Sequence, residues 1–229
     1  MGTLSGDGYA IDVSVVDVSD HDSVMRFAQA AAEAGTIEAV VNTAGLSPSA
    51  GSARRIYEVD LVGTANVIDA FLPFTDSGMS LICVSSMAGH MASGMSAELE
   101  RHLAMASRDT LLSHPDLNID DCGPSGPPRA YGYSKRGNIL RVQAAAAAWG
   151  RRGARINSVS PGVISTSTGR QEIAGPAGKF VTMSPAGRVG VPQDIVNAVA
   201  FLVSSDASFI TGNDLLVDGG IVSCLRWKD

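Results

Sequence analysis

The sequence predicts an α/β fold built on a parallel sheet, and two observations carry that expectation. Short apolar runs of strand length alternate with longer stretches of helical periodicity, the pattern of successive βαβ units. The chain has 229 residues, 45% of them hydrophobic, enough to bury one substantial core, so residues 1–229 are read as one domain. In order, residues 12–17 (DVSVVD) read as a strand. Ser19 can cap a helix carrying Val24, Phe27, Ala28 and Ala31, which Gly35 ends. A second strand covers 37–42, a long helix 56–74 and a third strand 81–85. Another long helix runs over 131–149 and stops at Gly150, and Gly153 leads into a strand at 155–159. Pro192 suits the first turn of a helix over 194–202, and 215–217 makes a last strand before Gly219 and Gly220. The stretch 90–129 breaks the rhythm, with a helix expected over 97–112 and then the turn-forming NIDDCGPSGPPR. It reads as an insertion, either a functional lid or a surface decoration.

Composition narrows the function. Lys and Arg total 17 against 23 Asp and Glu, a net charge of -6, and the basic residues form only short pairs such as Arg54-Arg55 and Arg151-Arg152. Nucleic acid is therefore not an expected partner. No apolar run approaches the roughly 20 residues of a membrane span, and the opening MGTLSGDGYA lacks the regions of a secretory signal, so a cytoplasmic protein is expected. Cys83, Cys122 and Cys224 form no CxxC pattern and the four histidines no HxxxH pattern. Free thiols and no metal site are the reading.

Tyr131 and Lys135 stand four apart at the start of a helix, so their side chains share a face. A neighbouring ammonium favours the phenolate of a tyrosine, bringing it toward proton exchange near neutral pH. YxxxK alone also arises by chance. Tyr133 competes as the tyrosine, but only Tyr131 lies four before Lys135. Ser86 follows the strand LICVSS, where strand carboxyl ends border a ligand crevice, and could donate to a developing oxyanion or simply cap the next loop. Asn42, Thr43, Ala44 and Gly45 follow IEAVVN, where small residues admit a flat cofactor or form a plain turn. Asp17 and Val18 could contact an adenine ring, or Asp17 could start the turn into the next helix. Pro161, Gly162, Ile164 and Thr166 join a rigid turn to groups able to hold a carboxamide, or form an ordinary Pro-Gly turn.

Taken in order, NTAG at 42, VSSMAG at 84, YGYSK at 131, SPGVIST at 160 and LLVDGG near the end resemble the short-chain dehydrogenase/reductase family over nearly the whole chain. The resemblance implies a Rossmann-like, doubly wound parallel sheet in three αβα layers, NAD or NADP as cofactor, and hydride transfer to or from an alcohol or ketone. It implies that Ser86, three before Gly89 in the SxxG element, orients the substrate. Tyr131 would be the general acid/base, and Lys135 would tune it and hold the nicotinamide ribose. Asp17, Val18, Asn42, Ala44, Gly45, Pro161, Gly162, Ile164 and Thr166 would line the dinucleotide site. The segment before YGYSK and the run AAAAAWGRRGARINSVSPG are most similar to bacterial hydroxysteroid dehydrogenase/carbonyl reductase members, which implies a secondary alcohol or ketone, bulky apolar compounds included. A homodimer or homotetramer is the implied assembly.

Two departures stand out. Asp60, in YEVDLVGTAN, falls where many members carry a tetrad asparagine, and its carboxylate could pair with Lys135. The family's opening strand, TGxxxGxG turn, helix and second strand are missing, so the chain reads as N-terminally truncated. In strand order 3-2-1-4-5-6-7, that loss would leave a gap of roughly 14 Å in the sheet. A start site omitting natural residues, a rearranged shortened chain and elements supplied by a partner are the three explanations. The competing functional reading is a catalytically silent homologue acting only through oligomer contacts.

Overall fold

Apolar runs bounded by glycines and polar turns form four parallel strands: β1 (Ala39–Asn42), β2 (Ser80–Val84), β3 (Arg155–Pro161) and β4 (Asp214–Val217), paired in the order β1-β2-β3-β4. The computed structural model describes residues 10–166 and 178–227. Asn42 lies opposite Cys83, Cys83 opposite Ser158, and Ser160 opposite Leu216, so the carboxyl ends of the strands finish together.

Helix α1 (His21–Ala34) precedes β1. Helix α2 covers 53–71 and contains a π-helical stretch, Tyr57–Val62. Short helices α3 (Met87–Met91) and α4 (Ala97–Met105) lead to the long α5 (Gly126–Gly150). After β3 come α6 (Gly178–Val181) and α7 (Pro192–Val203), and α8 (Ile221–Arg226) follows β4. Among the described residues, no helix is long and apolar enough to cross a membrane.

Strand alternation sends neighbouring side chains to opposite faces. Leu81, Cys83 and Ile156 pack with Val67 and Ile68 of α2 and with Val142 and Trp149 of α5. Ile82 and Val159 pack with Leu202 of α7. The result is a three-layer α/β/α sandwich of the Rossmann-like kind. A second cluster lies beyond the sheet, where Leu99, Leu103, Leu111 and Leu117 close on Ile56, Tyr57 and Leu61. The irregular 90–129 stretch therefore builds core, and at ~1.5–3 kcal/mol per fully buried large apolar side chain its leucines matter to stability. It is fastened by Tyr57 Oη donating to Leu117 O at 3.0 Å and by Arg54 gripping both Asp120 oxygens at 2.6 and 2.8 Å.

Three local expectations are corrected. Residues 12–17 do not form a strand. They join no sheet among the described residues, and Val13 and Val15 are 58% and 100% exposed while Val16 and Val18 rest on the core. Alternation gives a segment a face to bury, but a strand also needs a ladder partner. The cap of α1 is Asp20, which accepts from the Asp22 N–H at 3.0 Å; the Ser19 hydroxyl is turned to Asp17 Oδ1 at 2.6 Å. The helix expected over 97–112 stops at Met105, with single 3-10 turns following at Leu111–Ser113 and Pro115–Leu117. Arg141 of α5 takes the Leu103 and Ala106 carbonyls at 3.1 and 3.0 Å, satisfying the end of α4 from outside. At the other long helix, Pro127 and Pro128 occupy the first turn, where no N–H partner is needed, and α5 begins five residues before Tyr131.

Candidate active site

The carboxyl ends of the strands open into a cleft of ≈ 1170 Å³. Of the residues singled out in the sequence, Gly45, Ser86, Tyr131, Lys135, Pro161, Gly162, Ile164 and Thr166 line it. Tyr131 and Lys135 sit one turn apart on α5, with Lys135 Nζ 5.5 Å from the centre of the Tyr131 ring. Tyr133, the competing tyrosine, is buried and donates to Ser93 O at 3.3 Å.

Lys135 is held from below. Its side chain is 6% exposed, and its Nζ lies 3.3 Å from Asp60 Oδ2 and 3.5 Å from Val84 O. Asp60 belongs to the π-helical stretch of α2 and is fully buried, its Oδ1 accepting the Leu46 N–H at 2.7 Å. Burial raises the Asp60 pKa, while the Lys135 charge and the Leu46 N–H pull it back without cancelling the rise. The pairing considered for Asp60 and Lys135 is thus what the fold builds, although Asp60 lies beneath the cleft wall. π-helical turns commonly occur at functional sites, where the extra residue re-aims a side chain.

The two serines after β2 divide their work. Ser85 Oγ donates to Lys135 O at 2.8 Å and ties β2 to α5. Ser86 caps α3 by accepting the Ala88 N–H at 3.1 Å, leaving its own proton for the cleft. The capping reading is thus what the structure shows, and Ser86 also lines the cleft. Gly89 lets α3 lie against α5, since a Cβ there would stand 2.8 Å from the Lys135 carbonyl carbon.

Asn42 Oδ1 accepts the Ala44 N–H at 3.3 Å and shapes the loop that presents Gly45, though Asn42 and Ala44 do not themselves line the cleft. At Gly45, a Cβ would approach Lys135 Nζ to 3.1 Å. A Cβ at Gly162 would come within 2.6 Å of Asp218 Cα, so this turn passes β4 only as glycine. Asp17 and Val18 lie outside the cleft walls: Asp17 is exposed and accepts from Ser19, and Val18 O accepts Asn66 Nδ2 at 2.9 Å.

Against this geometry, one relative decides the family. The "Short-chain dehydrogenase/reductase bsc3" of Alternaria brassicicola is 37% identical over 233 residues, covering 97% of this chain and 82% of that protein. The chain belongs to the short-chain dehydrogenase/reductase family. Residues 3–98 match the family described as short chain dehydrogenase, and residues 123–222 the one described as Enoyl-(Acyl carrier protein) reductase. A second relative in this oxidoreductase family, the 3-alpha-hydroxysteroid dehydrogenase/carbonyl reductase of Comamonas testosteroni, is 30% identical over 83% of this chain and 74% of that protein. The fold matches the solved 3-alpha-hydroxysteroid dehydrogenase from Pseudomonas sp. B-0831, complexed with NADH, at TM-score 0.76 and 24% identity, covering 93% and 85% of the two chains.

In this short-chain dehydrogenase/reductase, the apolar part of the cleft escaped the sequence reading. Leu46, Met87, Met91, Pro128, Phe180 and Ile195 line it, from five separate segments. Each carries the apolar character of any core residue, and only tertiary approach turns them into one wall. The available signal was the prolines one turn before YGYSK, which cannot lie far from Tyr131.

Proposed function

We propose that this chain is an NAD- or NADP-dependent oxidoreductase that interconverts a secondary alcohol and its ketone, with bulky, apolar, steroid-like molecules as the substrate class. The observation carrying this reading is that Ser86, Tyr131 and Lys135 face one cleft, with the Lys135 ammonium fixed 3.3 Å from buried Asp60. The residues fit a nicotinamide cofactor: Gly45, Pro161, Gly162, Ile164 and Thr166 line the cleft beside Tyr131 and Lys135, and at Gly45 a Cβ would crowd Lys135 Nζ at 3.1 Å. When bound, that cofactor supplies the hydride acceptor or donor.

The chain supplies the proton chemistry. Tyr131 Oη removes the alcohol proton in oxidation and returns it to the carbonyl oxygen in reduction. Lys135 Nζ stands 5.5 Å from the centre of the Tyr131 ring, and Asp60 with Val84 O holds its ammonium in place. Ser86 donates to the substrate oxygen and keeps it beside Tyr131. The apolar wall from Met87, Met91 and Phe180 supports a bulky apolar substrate. Two relatives' names support the same reading, one of them a 3-alpha-hydroxysteroid dehydrogenase/carbonyl reductase and the other a "Cis-4-hydroxycyclohexanecarboxylate dehydrogenase" from Sinomonas cyclohexanicum. Structures of similar fold described with NADH and with NADP bound support the nicotinamide. Exposed Val196 and Phe201 on α7 and Leu215 on the edge strand β4 support a homodimer or homotetramer.

The test is calorimetric titration with NADH and NADPH, followed by nicotinamide-coupled turnover across ketones graded from short linear to polycyclic. Saturable binding and a kcat/KM rising with apolar ring count are expected. No binding of either nucleotide would overturn the proposal.

A further inference from the structure

A buried polar network stands outside the cleft and has no part in the proton chemistry above. His90 Nε2 lies 2.6 Å from Asp214 Oδ2, and the other oxygen of that carboxylate accepts Ser158 Oγ at 2.5 Å and Ser160 Oγ at 2.9 Å. The Asp214 side chain is 6% exposed, both serines are fully buried, and none of the four residues lines the cleft. A carboxylate with three donors is fully matched in a poorly solvated place, and such networks hold one geometry against alternatives.

We propose that His90 and Asp214 are positioning residues that lock α3, and with it Ser86, onto the sheet. This rests on the assignment of Ser86 as the group that orients the substrate oxygen. Five residues cannot sustain a helix alone, so outside contacts must set where α3 sits. One is on α5: Gly89 lies against the Lys135 backbone, and adjacent Ser85 bonds Lys135 O. A second is the His90–Asp214 bond, reaching across β3 to the start of β4, and a third is the apolar packing of Met87 and Met91 with Ile221 and Val222 of α8. His90 is four residues after Ser86, about one helical turn, so a shift at His90 is passed to the Ser86 end with little slack. Of these, the His90–Asp214 bond is the directional polar tie that holds the His90 end of α3 to the sheet. Misplacement of a substrate-orienting group by about 1 Å can lower turnover on the order of 10²-fold, so a modest loosening would be measurable.

The test compares wild type with His90→Ala and His90→Gln, whose amide can donate to Asp214 from nearly the place of Nε2. For His90→Ala the expectation is a kcat at least ~10-fold lower, with nicotinamide Kd within about twofold of wild type. His90→Gln should recover most of that loss. Amide hydrogen exchange read on the free proteins should be at least ~10-fold faster over 88–91 in His90→Ala while α7 keeps its wild-type rates. Exchange at wild-type rates over 88–91 in His90→Ala would overturn the proposal, as would a kcat loss that His90→Gln does not relieve. If wild type itself turns nothing over, the assignment of Ser86 and Tyr131 fails, and the exchange comparison still decides whether His90 locks α3.

Discussion

Asp60 stands where many members of this family carry asparagine, and it keeps a carboxylate at zero exposure against Lys135. Because its folded pKa is raised, the folded state holds the proton more tightly than the unfolded chain. The stability associated with that proton is fully present below the unfolded pKa and is lost as pH rises through the raised value. Asp60→Asn removes this titration. Its melting temperature relative to wild type should therefore climb as pH rises above about 4, whatever the offset at low pH. A flat difference in thermal melts across that range would show that Asp60 ionises as it would in water. The sequence showed Asp60 as a departure and as a partner for Lys135, but not the π-helical turn that aims it. At Ser19 and Asp20, adjacent capping residues could not be ranked by type, because the choice depended on Asp17 capturing the serine.

Among elements, order and type were largely legible: the strand after α1 and those near 81, 155 and 215 form, and the helices over 56–74, 131–149 and 194–202 appear with shifted ends. What failed were features decided by distant groups, such as the unpaired 12–17 segment and the early stop of α4 under Arg141. Close approach of α3 to α5 yields a direct prediction. Gly89→Ala places a Cβ 2.8 Å from the Lys135 carbonyl carbon, backbone that cannot rotate away. Separation of the two helices should cost about 1–3 kcal/mol in denaturant unfolding and lower kcat, since Ser86 and Lys135 move apart. Retention of both wild-type values would mean that α3 does not bear on α5. In α7, Asp194 accepts from the Val191 N–H at 2.8 Å and from Arg188 at 2.7 and 2.8 Å, which holds its carboxyl at about 2 against a usual 3.8. A depressed pKa contributes stability above the unfolded value that is lost as pH falls through the folded one. The thermal-melt gap between wild type and Asp194→Ala should be open at neutral pH and narrow from about 4 toward 2.

For the whole molecule, the parallel sheet ends its strands together, and the loops after β1, β2 and β3 meet α5 over one cleft. Strand order indicated that NTAG, VSSMAG and SPGVIST would converge, because parallel strands put the loops after them at the same edge, whereas the place of YGYSK beside them was implied by the family resemblance. It could not reveal the apolar wall, assembled from residues scattered between Leu46 and Ile195. The central claim is that Tyr131 carries the proton in that cleft. Tyr131→Phe deletes one oxygen and leaves the ring beside Lys135, so the most direct measurement pairs nicotinamide-coupled turnover with nicotinamide affinity for wild type and this variant. The account predicts a kcat at least ~10²-fold lower with Kd nearly unchanged. Turnover at the wild-type rate with the cofactor bound would contradict it.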